Sequence, residues 1–427
     1  MSKLALLGGD PLIKEDFKPY MPMDEIEIKA VEDVMKKGIL SSYIAAAGDS
    51  FMGGEAVKEL EDKAEKYFRV KHAVAVNSWT SGLICSVGAI GIEPGDHVIT
   101  SPWTMAATAT AILHWNAIPI FADIDPLTFN IDPKKVENLI SEKTKAILAV
   151  DIFGQSADMP AIKEIAEKYD LKIISDTAQA PGVKQNNSYA GTLGDIGGYS
   201  LNYHKHIHCG EGGVIVTDDT DLWKRLCLIR NHAEAVIDSD DYKQLTNMLG
   251  YNFRLGEIEA TIAKHQLDKL ESKVKSRQRI AEQLNEGLSE LEGLNLPFVS
   301  ENNTHAYYVY GMILDRSLTE TIGRKNILAA LKAEGVPALM EGYQNIHLLP
   351  LFKNKIAFGS EGYPWSNYEE SKEIEYIAGL CPIAEDYHLN RFFGIGACMC
   401  EFSEREIDQV IQAFKKVWSN LELIQNL

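Results

Sequence analysis

Between residues 70 and 217, short apolar, β-rich runs alternate with stretches of helical periodicity, and this alternation constrains the fold more than any other feature. The runs are Ala73-Val-Ala-Val-Asn77, His97-Val-Ile-Thr100, Pro119-Ile-Phe-Ala122, Ala146-Ile-Leu-Ala-Val150, Lys172-Ile-Ile-Ser175, Tyr199-Ser-Leu201 and Gly213-Val-Ile-Val-Thr217. Several are apolar without a break, as strands covered by helices on both faces must be. Val57, Leu60, Ala64 and Phe68 recur at helical spacing, as do Ile162, Ile165, Ala166 and Tyr169. Such alternation predicts an α/β domain with a mainly parallel sheet.

The texture changes further on. A long helical region is expected from about Leu255 to Leu291, then a strand at His305-Ala-Tyr-Tyr-Val-Tyr310, a helix from Arg324 to Glu334 and a final helix from Glu404 to Asn420. This reads as an N-terminal arm (1–25), a large domain (26–285) and a smaller C-terminal α+β domain (286–427). No run of about 18 apolar residues is present, so no membrane span is expected. The start lacks a signal-peptide pattern, and a cytoplasmic protein is the expectation. A net charge of −19 argues against nucleic acid as a partner, although a locally positive pocket could still take a small anion. The six cysteines are scattered and read as reduced thiols.

The stretch Ser200-Leu-Asn-Tyr-His-Lys-His-Ile-His-Cys-Gly-Glu-Gly-Gly213 holds one lysine between two histidines. On an extended chain His204, His206 and His208 would share a face and could approach zinc, but no carboxylate follows at ligand spacing. Gly210, Gly212 and Gly213 follow the lysine and lead into a strand, which does not fit a phosphate loop. A third reading makes Lys205 a nucleophile, which requires a depressed pKa. Asp176, at the end of an apolar strand, sits where α/β sheets meet their ligands, and a buried aspartate there needs a cationic partner. A lysine Schiff base with an aspartate on the pyridinium nitrogen is how pyridoxal phosphate is held.

With these residues in place the sequence resembles the DegT/DnrJ/EryC1/StrS sugar aminotransferases, within the aspartate-aminotransferase fold (fold type I) of pyridoxal phosphate enzymes. The resemblance rests on Val76-Asn-Ser-Trp-Thr-Ser-Gly-Leu83, Asp176-Thr-Ala-Gln179, Ser200 to Gly213, Gly250-Tyr-Asn-Phe-Arg-Leu-Gly-Glu-Ile-Glu259 and Val417-Trp-Ser-Asn420. It implies pyridoxal 5′-phosphate on Lys205, which would also shuttle the proton. Asp176 would keep the ring nitrogen protonated and Gln179 would contact the ring hydroxyl. Ser200 and the backbone N–H groups of Trp79 and Thr80 would bind phosphate, joined by Asn252 from a neighbouring subunit, so a homodimer with shared sites is implied. Two positions depart from the pattern. Trp79 stands where the family usually has glycine. Met105 stands where an aromatic ring commonly covers the cofactor, so either Met105 or Trp103 would cover it here.

One branch of the family carries histidine in place of the lysine and dehydrates keto-sugars. The Gly-Glu-Gly-Gly motif and the Ser200 spacing put Lys205 in the lysine position and favour transamination. The dehydratase and a non-catalytic, cofactor-binding relative remain as alternatives. The stretches Leu4 to Pro11, Met340 to Tyr343 and Gly362 to Trp365 resemble the keto-inositol and amino-hydroxybenzoate branch. The implied acceptor is a nucleotide-linked keto-sugar or a keto-cyclitol, with glutamate or glutamine as donor. Arg254 is a candidate for an anionic group, and His305, Tyr343 and His347 for hydroxyl contacts.

Overall fold

The computed structural model describes residues 3–234 and 246–425. All seven apolar runs between 70 and 217 are strands of one sheet. They are β1 (His72–Val76), β2 (His97–Thr100), β3 (Ile118–Phe121), β4 (Thr144–Val150), β5 (Lys172–Asp176), β8 (Ile196–Ser200) and β9 (Gly213–Thr217), with a small hairpin of β6 (Lys184–Gln185) and β7 (Ser188–Tyr189) set apart. The order across the sheet is β1-β9-β8-β5-β4-β2-β3. The pairings among β8, β5, β4, β2 and β3 are parallel, and β9 runs antiparallel to both its neighbours.

Alternate residues of each strand feed cores on opposite faces, because successive side chains of a strand point to opposite sides. Val74 and Val76 of β1 join one core with Trp79, Leu83 and Ile112, whereas Ala73 and Ala75 join another with Val57, Leu60 and Leu267. The covering helices include α1 (Glu25–Lys37), α2 (Glu55–Phe68), α3 (Trp79–Ala89), α4 (Ala107–His114), α5 (Pro133–Glu137), α6 (Met159–Tyr169), α7 (Thr220–Arg230) and α8 (Glu257–Leu288). Asp24 and Glu27 form a capping box at the start of α1.

Helix α8 runs across the boundary expected at 285. The helix is continuous to Leu288. Ala260, Ala263, Leu267, Leu270 and Val274 pack with the large sheet, whereas Ile280, Ala281, Leu284 and Leu288 pack with the C-terminal core. The hand-over lies between Val274 and Ile280, inside an unbroken helix.

The C-terminal unit is built on a four-stranded antiparallel sheet, β10-β11-β13-β12, from β10 (Leu294–Asn295), β11 (Tyr310–Leu314), β12 (Leu339–Met340) and β13 (Phe392–Ile395). The strand expected at 305–310 begins only at Tyr310. Tyr307 has φ +49° and its N–H is turned onto His305 Nδ1 at 2.8 Å, a conformation no ladder accommodates. The helices expected at the end are present as Arg324–Ala333 and Glu404–Trp418. The N-terminal arm is docked here, with Leu4, Ile13 and Phe17 in the C-terminal core. Glu334, fully buried, accepts from the N–H groups of Ala5 (2.8 Å) and Leu12 (3.1 Å) and from Lys416 (2.8 Å).

Candidate active site

The sheet register lines the site up along one edge. Val76 of β1 pairs with Gly213 of β9, Gly213 with Ser200 of β8, Gly198 of β8 with Asp176 of β5, and Asp176 with Val150 of β4. Helix α3 starts two residues beyond β1, capped by Ser78, whose Oγ accepts from the N–H of Ser81 at 3.0 Å. Its first-turn N–H groups have no intrahelical acceptor and carry the positive end of the helix dipole. A pocket forms where this helix end faces the strand edge. Trp79, Thr80, Met105, Asp176, Gln179, Ser200, Lys205 and Tyr343 line it, together with Ser78, Thr104, Thr108, Asn202, His204 and Glu211.

Lys205 enters from the loop after β8, which is folded on itself: Lys205 N–H donates to Asn202 O, Cys209 N–H to Leu201 O and Leu201 N–H to Gly212 O. The histidines therefore diverge and do not share a face. His204 lines the pocket, whereas His206 is fully buried and hydrogen-bonds Ala306 O through Nε2. Lys205 Nζ lies 4.4 Å above the Tyr308 ring and is only 6% exposed. Burial pushes its pKa down to about 8, against the opposing pull of Asp176 and Cys398.

Asp176 is 4% exposed, and burial raises its pKa. Neutral donors hold both oxygens: the Trp79 indole N–H on Oδ1 at 2.7 Å, the Thr108 hydroxyl on Oδ2 at 2.8 Å, and the Ala178 N–H on Oδ1 at 3.3 Å. Lys205 is the cation that acts on it. A buried carboxylate served by neutral donors is one that an additional cation would stabilise, and a pyridinium is such a cation. Ser200 and the start of α3 offer the matching hydroxyl and N–H groups for an anion in the same pocket. The donor set fits pyridoxal phosphate.

Gln179 accepts from the Phe153 N–H (2.8 Å) and donates to the Tyr343 hydroxyl (2.9 Å). Met105 is 57% exposed toward the pocket, whereas Trp103 is wholly buried among Phe129, Phe153 and Phe392, its indole donating to Tyr343 O. Of the two, Met105 is the residue that could cover a bound ring.

Four sequence candidates lie elsewhere. Asn252 is exposed, with Oδ1 accepting from Arg254 Nε at 2.8 Å, and neither residue lines this chain's own pocket. His305 is buried with Nδ1 taken by the Tyr307 N–H, and its pKa is lowered to about 3 by burial. His347 is fully buried against Glu385 at 2.9 Å. Both histidines are enclosed by protein and do not offer the hydroxyl contact expected of them. Conversely, the sequence reading did not single out Thr108, Tyr308, Asn202 or Glu211. Thr108 stood in the Trp103–Thr108 stretch with no spacing to mark it, and Tyr308 reaches Lys205 only through tertiary folding.

This is the architecture of an aspartate-aminotransferase-like enzyme, and a solved aminotransferase from Psychrobacter cryohalolentis shares it with a TM-score of 0.80 at 25% identity, covering 95% of this chain and all of that one. Residues 26–374 match the DegT/DnrJ/EryC1/StrS aminotransferase family, and the chain belongs to that family. Among its relatives, the spore coat polysaccharide biosynthesis protein SpsC of Bacillus subtilis is 31% identical over 82% of this chain and 89% of its own. A putative L-glutamine:3-amino-2,3-dideoxy-scyllo-inosose aminotransferase of Streptomyces kanamyceticus is 29% identical over 98% of each. The protein is thus an aminotransferase, and its family and fold imply pyridoxal phosphate. No helix among the described residues is long and apolar enough to cross a membrane.

Proposed function

We propose that this enzyme transfers an amino group from glutamate or glutamine to a keto-cyclitol or a nucleotide-linked keto-sugar, using Lys205 as its catalytic lysine. The observation that carries the reading is that Lys205 and Asp176, both buried, face one pocket opposite the N-terminus of α3. Pyridoxal phosphate, when bound, supplies an electron sink for the negative charge left at the substrate carbon. The chain's own groups do the rest. Lys205, with its lowered pKa, gives up its proton more readily than a solvent-exposed lysine and moves the proton at the reacting carbon. The Asp176 carboxylate holds positive charge at the ring nitrogen. Ser200, Thr80 and the first N–H groups of α3 would hold the phosphate, and Gln179, bound to the Tyr343 hydroxyl, would contact the ring.

Asn252, exposed on its own subunit, and Arg254, half-buried beside it, would serve the pocket of a second copy, and the working unit in this reading is a homodimer. The near-complete overlap with the inosose aminotransferase supports a polyhydroxylated cyclic ketone as acceptor and glutamine as a donor. The test is the visible absorption of the purified protein loaded with pyridoxal phosphate, before and after glutamate or glutamine. Bleaching of the lysine-bound band by one donor, and its recovery on adding a keto-cyclitol or a nucleotide-linked keto-sugar, is expected. A band that neither donor changes would refute the donor assignment.

A further inference from the structure

Trp79, one of the two positions at which the resemblance implies a departure from the family pattern, touches Asp176. Trp79 opens α3, yet its indole is 5% exposed and turned toward the sheet edge, with Nε1 on Asp176 Oδ1 at 2.7 Å. Glycines on three elements clear its place. A Cβ on Gly82 would lie 2.6 Å from the indole Cε3, one on Gly213 would lie 2.9 Å from the Trp79 backbone nitrogen, and one on Gly198, the residue paired with Asp176 across β5 and β8, would lie 2.2 Å from the indole Cζ3. Filling space alone does not require a nitrogen aimed at a carboxylate, because a phenylalanine edge would fill much of the same volume.

We infer that the Trp79 indole is a positioning group, which fixes the Asp176 carboxylate so that it meets a positively charged ring nitrogen of the bound cofactor. The inference rests on the role given to Asp176 above. Thr108 holds the other oxygen, so the two donors define both the place and the rotation of the carboxylate plane. Trp79 itself acts through Asp176 and not on the substrate.

The experiment compares wild type, Trp79→Phe, Trp79→His and Asp176→Asn as proteins loaded with pyridoxal phosphate. It reads the cofactor dissociation constant and the pH midpoint of the visible band. A carboxylate that has lost this donor is a weaker partner for a positive ring, so the nitrogen joined to Lys205 keeps its proton to higher pH. Trp79→Phe is expected to weaken cofactor binding about tenfold and to move the midpoint upward. Asp176→Asn should move it in the same direction, and Trp79→His, which keeps a ring N–H, should recover part of the shift. A Trp79→Phe midpoint and affinity equal to wild type, with Asp176→Asn shifted, would overturn the inference while leaving the role of Asp176 standing. No shift in either variant would overturn both. Should Trp79→Phe fail to fold, benzothienylalanine at position 79, which puts sulfur in place of the indole N–H at the same volume, makes the same comparison.

Discussion

Replacing Lys205 by methionine is expected to abolish amino transfer and, at the same time, to stabilise the cofactor-free protein. The amine is 6% exposed and its pKa is pushed down to about 8 by burial. In the unfolded chain a lysine titrates near 10.4, so at pH 7 the folded state holds an ammonium in a site that favours the neutral amine, at a cost of about 3 kcal/mol. The sign follows from proton binding. Between pH 8 and about 10.4 the unfolded chain binds more protons than the folded one, so the penalty is complete below pH 8 and vanishes as pH rises past the unfolded value. Methionine has similar length, no charge, and a sulfur suited to the Tyr308 face that Lys205 now overlies. One term opposes the gain. Asp176 loses a favourable charge, although Lys205 is the smallest of the influences acting on that carboxylate. A net gain of about 2 kcal/mol at pH 7 is expected, a rise of a few degrees in Tm. Thermal unfolding of cofactor-free wild type and variant at pH 7 and pH 10 checks this. A variant that melts at or below wild type at pH 7, or a gain that does not shrink by pH 10, would refute the argument that Lys205 is held against its own solvation.

Asp176→Asn removes the charge that pulls the Lys205 pKa upward, so Lys205 should lose its proton at lower pH than in wild type. Acetylation of the Lys205 peptide at pH 7, followed by mass spectrometry on cofactor-free protein, should be faster even as amino transfer falls by orders of magnitude. Mixing a Lys205→Ala protein with an Asn252→Ala protein, each inactive alone, should restore activity to roughly a quarter of wild type if the sites are shared, since half the dimers are hybrids with one intact site. A mixture with no activity would mean that Asn252 serves its own subunit or none. Glu334→Ala leaves the N–H groups of Ala5 and Leu12 without their acceptor and Lys416 with only the Asp10 carbonyl, and should cost about 3 kcal/mol. Hydrogen exchange should localise the loss to residues 5–17 and the helix Glu404–Trp418.

Much of the large domain was legible because its information is local. Each apolar run such as Ala146–Val150 is long enough for one strand, and buried strands need no polar face. The C-terminal unit was less legible, because its chain path depends on contacts made elsewhere. His305–Tyr310 has the composition of a strand, yet Gly154 and Phe153 take the N–H groups of Ala306 and Val309 and hold Tyr307 left-handed. His305 and His347 looked like polar contacts in the sequence. Their neighbours, Tyr307 and Glu385, enclose them in the fold.

By itself the sequence determined the order of strands and helices, the lysine five residues beyond Ser200, and the aspartate at the end of its strand, since these follow from periodicity and spacing along one segment. Only the tertiary structure decided where side chains point. It turned Lys205 to the pocket and His206 away from it, buried Trp103 and left Met105 facing the ligand space, and brought the Trp79 indole onto Asp176, 97 residues away. The physical reason is that each of these orientations is set by packing between elements distant in sequence: Gly198 of β8 leaves room for the indole, and Gly213 of β9 for the Trp79 backbone, only when those strands have met α3.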